Sequence, residues 1–146
     1  MTSRGFAQVM GILFVTIGVL GFIPGLKSPP PLSVPHLTVD GAYGLLLGLF
    51  PVNWLHNLVH LAIGGWGWGA SRSTGAARQF ARALAFLYGG LAVMGLIPVL
   101  NTTFGLVPLF GHDVWLHAGT AALAAYFGFS QRTEAVEIRA RYQRAA

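Results

Sequence analysis

Two apolar segments of this chain carry the same triplet, Trp54-Leu55-His56 and Trp115-Leu116-His117. The likeness runs well beyond the triplets. Residues 4–26 align without a gap with residues 78–100 at an offset of 74, pairing Arg4 with Arg78, Phe6 with Phe80, Gly21 with Gly95 and Pro24 with Pro98. Tyr43-Gly44-Leu45 then matches Phe104-Gly105-Leu106, and Gly67 matches Gly128, at an offset of 61. The 13 residues separating the two offsets fall in the first copy's loop, around Lys27 to Asp40. Such a duplication narrows the choice of folds sharply: one supersecondary unit is used twice, and the copies bury their apolar faces against each other.

Composition says where the unit sits. Apolar residues make up 54% of the 146 positions and charged residues only 9%, far from the balance of a soluble domain. Four apolar stretches, residues 6–23, 42–69, 82–97 and 114–129, approach or exceed the roughly 20 helical residues that cross a bilayer. The expectation is an all-α integral membrane protein: a four-helix transmembrane bundle built from a tandem parallel repeat of two-helix units. Residues 1–146 form one membrane domain, with repeats at 4–70 and 78–130 and a basic tail at 131–146. The first stretch follows Arg4 as a leader would, but it leaves through Ile23-Pro24-Gly25-Leu26 without a small-residue cleavage site. It therefore reads as a retained span.

Two spans per copy return the chain to its starting side, so the copies run parallel and are related by an axis along the membrane normal. Arginine gathers on one side: Arg4, Arg72, Arg78, Arg82, Arg132, Arg139, Arg141 and Arg144, against Lys27 alone on the other. Such a bias marks the cytoplasmic side, which places both termini there. The same asymmetry explains the pI near 10.5 without nucleic acid. The absence of cysteine excludes disulfides and thiolate metal sites.

His36, His56, His60, His112 and His117, with Asp40 and Asp113, fall on the outer side. The first outer loop, with Pro29, Pro30, Pro31 and Pro35, reads as a stiff extended cover. The second, residues 101–111, is apolar and reads as interfacial. Pro51 breaks the second stretch, so residues 42–50 form an outer half-segment and the spanning helix starts near Val52. Asp113 reads as the N-cap of the fourth span, and residues 131–144 as an amphipathic surface helix. Trp54 and Trp115 belong to an outer aromatic belt, Trp66 and Trp68 to an inner one.

A polar stripe runs down the second span. Asn53, His56, Asn57 and His60 are three and four residues apart and share one helix face, and Asp113, His117 and Thr120 match them on the fourth. Polar groups at membrane depth face the bundle interior. Three roles suit the stripe. The leading one is packing, through interhelical hydrogen bonds that need no cofactor; the molecule is then a structural or accessory subunit whose partners are the bilayer and other membrane proteins. The second is binding: His56 and His117 as axial ligands of haem, one histidine on a chlorin, or His56, His60 and His117 on copper or zinc. Asn53, Asn57 and Asp113 would then be supporting polar groups. The third is a proton-linked transport element, weakened because the inner half of the core lacks ionisable groups. No nucleophile context, paired carboxylates or phosphate loop suggests an enzyme.

His56-Asn57-Leu58-Val59-His60-Leu61, the Gly21–Gly25 exit Gly-Phe-Ile-Pro-Gly, and Asp113 with Trp115-Leu116-His117 together resemble the bacterial four-span membrane proteins grouped as domain of unknown function 4383. The resemblance covers about residues 6–130. It implies a bacterial inner-membrane protein and brings no catalytic residues with it. Where the family commonly has Asp-Asn, this chain has Asp113-Val114 preceded by His112.

Overall fold

The computed structural model describes residues 1–130 and 142–144. Four long helices dominate: α1 (Ser3–Leu20), α2 (Trp54–Ala70), α3 (Thr74–Gly95) and α4 (His112–Ala125), the last continued by a π-helical turn over Tyr126–Ser130. Polar caps start three of them. Thr2 Oγ1 accepts from Gly5 N–H at 3.1 Å, Ser73 Oγ from Ala76 N–H at 3.2 Å, and Asn53 Oδ1 from His56 N–H at 2.8 Å. Each cap satisfies one of the N–H groups that a helix start leaves unpaired.

The helices pack as two antiparallel pairs. In the α1–α2 pair a Cβ placed on Gly11 would lie 2.7 Å from the Trp68 backbone nitrogen, and one on Gly64 2.9 Å from the Gly11 carbonyl oxygen. Only glycine admits a crossing this close. In the α3–α4 pair a Cβ on Gly128 would lie 3.0 Å from the Arg82 nitrogen. Arginines fasten one end: Arg4 Nε donates to the Ser71 carbonyl at 2.8 Å and Arg82 Nε to the Gly128 carbonyl at 2.9 Å. The three-residue turn from α2 to α3 reverses the chain, so α1 and α3 run parallel. Phe6, Phe80, Leu84 and Phe127 fill the core toward the arginine end.

The loop end departs from the sequence expectation. Residues 42–50 do not form a helical half-segment. Gly44–Leu46 (β2) and Phe50–Val52 (β3) pair as a hairpin, and Lys27–Ser28 (β1) adds a third antiparallel strand with Lys27 opposite Leu46. The turn Leu47-Gly48 has φ of 54° and 73°, a left-handed pair that glycine eases. Pro51, which lacks an N–H, sits on the edge strand where none is required. The second helix consequently starts at Trp54. The two long loops join over the helix ends, with Thr38 N–H and Val39 N–H both donating to the Gly105 carbonyl, at 2.9 and 3.1 Å.

Asp113 is not the N-cap of α4. Gly111, with φ 69°, occupies the cap position without a side-chain bond, and Asp113 lies in the first turn with its side chain buried. By length and composition, one helix among the described residues, Ser3–Leu20, is long and apolar enough to cross a membrane. The hairpin shortens α2 to 17 residues, α3 carries Arg78 and Arg82 in its first three turns, and α4 is regular for only 14 residues. The surface helix expected over 131–144 lies, except for its last three residues, outside the described residues.

Candidate functional site

Asn53 sets the register of the site. Its Oδ1 caps α2, while its Nδ2 donates to the Val39 and Leu106 carbonyls, each at 2.7 Å. One fully buried amide thus starts the helix and clamps both loops to it. From that start, His56, Asn57 and His60 come one and two turns later on the buried face. On α4, Asp113 and His117 are one turn apart and also buried. The His117 Nδ1–Asp113 Oδ2 distance is 3.5 Å, a loose electrostatic contact longer than a good charged hydrogen bond.

These residues converge between the helix pairs. The ring centroids of His56 and His60 are 4.4 Å apart, and those of His56 and His117 6.3 Å. Tyr88 of α3 packs edge-on against His117 at 4.9 Å, and Phe14 of α1 stacks on His60 at 5.6 Å. One ligand atom from each of His56, Asp113 and His117 lies within 4.8 Å of the others. His56 Nδ1, His60 Nδ1, Asp113 Oδ2 and His117 Nδ1 are buried without a hydrogen-bond partner. Buried polar atoms are almost always satisfied, so four at one point with no hydrogen bond, only the loose His117–Asp113 contact among them, mark a place built around something further.

The sequence grouped His56, His60 and His117, and the structure brings all three together. It moves Asp113 from a supporting position to a candidate ligand. Asn53 is spent on the cap and clamp, and Asn57 turns away toward Gly21, its amide buried and unpartnered. Phe14 and Tyr88 went unnoticed as site walls. The signal for them was present, because the 74-residue offset pairs these two positions with each other. A lateral cavity of about 310 Å³ adjoins the cluster, lined in part by His60, Tyr88, Trp115 and His117.

Two imidazoles and a carboxylate form a donor set for a borderline divalent ion, since neutral nitrogen and anionic oxygen suit zinc, copper(II) and iron(II). Bonds of about 2.0–2.2 Å require ligand atoms roughly 3.3–3.5 Å apart in a tetrahedral set. Side-chain rotations of about an ångström would close the observed triangle to that size.

Compared with known families, residues 4–130 match the profile described as Domain of unknown function (DUF4383). The chain belongs to this family. The match takes in both helix pairs and every residue of the cluster. No curated protein and no solved structure gives a significant match.

Proposed function

We propose that this DUF4383 protein is a membrane-embedded bundle of four helices, built from a duplicated helix pair, which holds one divalent transition-metal ion on its internal pseudo-two-fold axis. The observation that carries the metal reading is the buried set His56, Asp113 and His117, within 4.8 Å of one another, with unpartnered nitrogen and oxygen atoms. His60, next to His56, is a further donor within reach of small movements. An ion is favoured over haem or chlorin because a macrocycle needs an open slot beside each axial histidine. Here Phe14 and Tyr88 pack against the histidine rings instead.

Two observations support duplication. Equivalent positions of the copies meet each other: Phe14 with Tyr88 at 5.3 Å and His56 with His117 at 6.3 Å. A residue that touches its own counterpart lies on a two-fold axis. The parallel course of α1 and α3 runs that axis along the helices. Membrane embedding is supported by large apolar side chains on the outer helix faces, among them Phe86 at 75% and Trp115 at 71% exposure. A soluble domain rarely leaves such patches uncovered. The arginine bias then directs both termini to the cytoplasm of a bacterial inner membrane.

Metal analysis of protein purified in mild detergent tests the proposal. About one zinc, copper or iron per chain is expected, retained through dialysis and lost in a His56→Ala/His117→Ala variant of unchanged helicity. A native preparation that neither contains nor takes up any of these ions would overturn it.

A role as an accessory subunit is the second reading. It is favoured by Leu32, Leu47 and Phe104, which stand exposed at the loop end and offer an apolar surface to a membrane partner. Co-purification of a defined membrane protein, lost on Phe104→Ser, would support it. A proton path has less behind it, since α2 beyond His60 carries no ionisable side chain.

A further inference from the structure

The two halves of the repeat alignment differ at residues that line the lateral cavity between α1 and α4. Its inner wall is formed by the buried His60, Tyr88 and His117, and its sides by Phe14 and Trp115. Its lining also includes Leu13 and Leu123 on the outer helix faces, which are 47% and 56% exposed. In the repeat alignment the offset of 61 pairs Gly119 with Leu58, Thr120 with Val59, and Ala121 with His60. The α1–α4 side has therefore lost bulk at Gly119 and gained an imidazole at His60. A Cβ placed on Gly119 meets nothing within 4 Å, so the missing side chain leaves real space.

The shape of that space defines an occupant. A volume of about 310 Å³ is at the small end of ligand pockets, and about twice the roughly 150 Å³ that accommodates a benzene. It fits two fused six-membered rings. Phe14, Tyr88 and Trp115 offer aromatic faces and edges for a flat ring. His60 and His117 line the inner wall; their Nδ1 atoms are buried and without a hydrogen bond, and a turn of the neutral imidazole would bring an N–H to a carbonyl oxygen in the cavity. Access is from the side, through apolar residues, so the ligand arrives from the hydrocarbon phase.

From these features we infer that the cavity binds a lipid-soluble quinone, its ring between Phe14, Tyr88 and Trp115 and a ring carbonyl accepting a hydrogen bond from His60 or His117. The inference rests on the membrane reading above but not on the metal. No electron transfer is part of it.

The test uses full-length protein in mild detergent, treated with a chelator so that occupancy of the metal site plays no part. Binding of 2-methyl-1,4-naphthoquinone is followed by calorimetry, beside 2-methylnaphthalene, which has the same rings without carbonyls. Saturable quinone binding is expected, with the hydrocarbon at least about tenfold weaker because the imidazole donors are then left unpaired. Gly119→Leu, which restores the side chain of the other copy, should abolish it. Leucine also raises helix propensity at that site, so loss of fold does not confuse the result. Gly90→Leu, a helical glycine with open space around it and away from the cavity, should bind as the parent does. His60→Ala, the residue found at the equivalent position 121, should weaken the quinone toward the hydrocarbon.

Equal affinity for quinone and hydrocarbon, or quinone binding unchanged by Gly119→Leu, would overturn the assignment. Partition of quinone into empty micelles alone would do the same. If the protein holds its metal yet fails these tests, only the cavity assignment falls. A chain that is water-soluble without detergent would instead remove the membrane reading beneath it.

Discussion

His56 and His117, the last residues of the two Trp-Leu-His triplets, face each other across the helix pairs with ring centroids 6.3 Å apart. Phe14 and Tyr88, joined by the other alignment offset, meet at 5.3 Å on the flanking helices. His60, between Phe14 and His56, and the Tyr88–His117 contact close these into a circuit of five rings at the loop end of the helices. Above it, toward the loops, Asn53 closes the site by clamping both connecting segments. Below it the interior is apolar as far as Phe6, Phe80 and Phe127.

The axial contact predicts coupling. Phe14→Ala and Tyr88→Ala should each destabilise the detergent-solubilised protein by about 3 kcal/mol or more, the usual cost of emptying a buried aromatic site. Together they should cost less than their sum by about 0.5–3 kcal/mol, because each removes the other's partner. Reversible unfolding in mixed micelles measures the cycle; strict additivity would place the two rings apart.

Glycine positions on α2 predict opposite signs for neighbouring substitutions. A Cβ on Gly64 would come 2.7 Å from the Val15 backbone nitrogen, whereas one on Gly65 meets nothing within 4 Å. Gly64→Ala should therefore cost about 1–3 kcal/mol through overpacking. Gly65→Ala should raise stability by up to about 1 kcal/mol through helix propensity. Thermal melts of the two variants in the same detergent give the comparison.

Asn53 carries two separable duties. Asn53→Asp retains an oxygen to cap His56 N–H but loses both donors to Val39 and Leu106. It should leave α2 intact while hydrogen exchange speeds up in residues 37–41 and 102–107. Asn53→Ala loses the cap as well, which costs a further 0.5–2 kcal/mol or about that, and should add faster exchange at His56. Identical exchange patterns in the two variants would contradict this division.

The histidines that the structure brings together were legible in the sequence because Trp-Leu-His recurs in register and histidine is conspicuous in an apolar run. The hairpin at Gly44–Val52 was not. A short apolar run reads equally as buried strand or helix, and Pro51 signals only that a helix breaks there. Asp113 looked like a cap because it precedes an apolar run; Gly111 adopts the left-handed turn that frees the carboxylate to face inward. The cavity depends on a side chain that is missing at Gly119, and composition carries no mark of that. Phe14 and Tyr88 were paired by the alignment, yet two aromatics in apolar helices read as ordinary core.

The most direct test of the metal site is electron paramagnetic resonance of the detergent-solubilised protein loaded with one equivalent of copper(II). Two directly bound imidazole nitrogens should split the signal in the parent, and one in His56→Ala or His117→Ala. Asp113→Asn should keep both nitrogens while weakening retention of the ion by roughly 10-fold or more, as loss of an anionic ligand or its support does. A copper signal without imidazole nitrogen coupling, or one unchanged in both histidine variants, would contradict a site between His56 and His117.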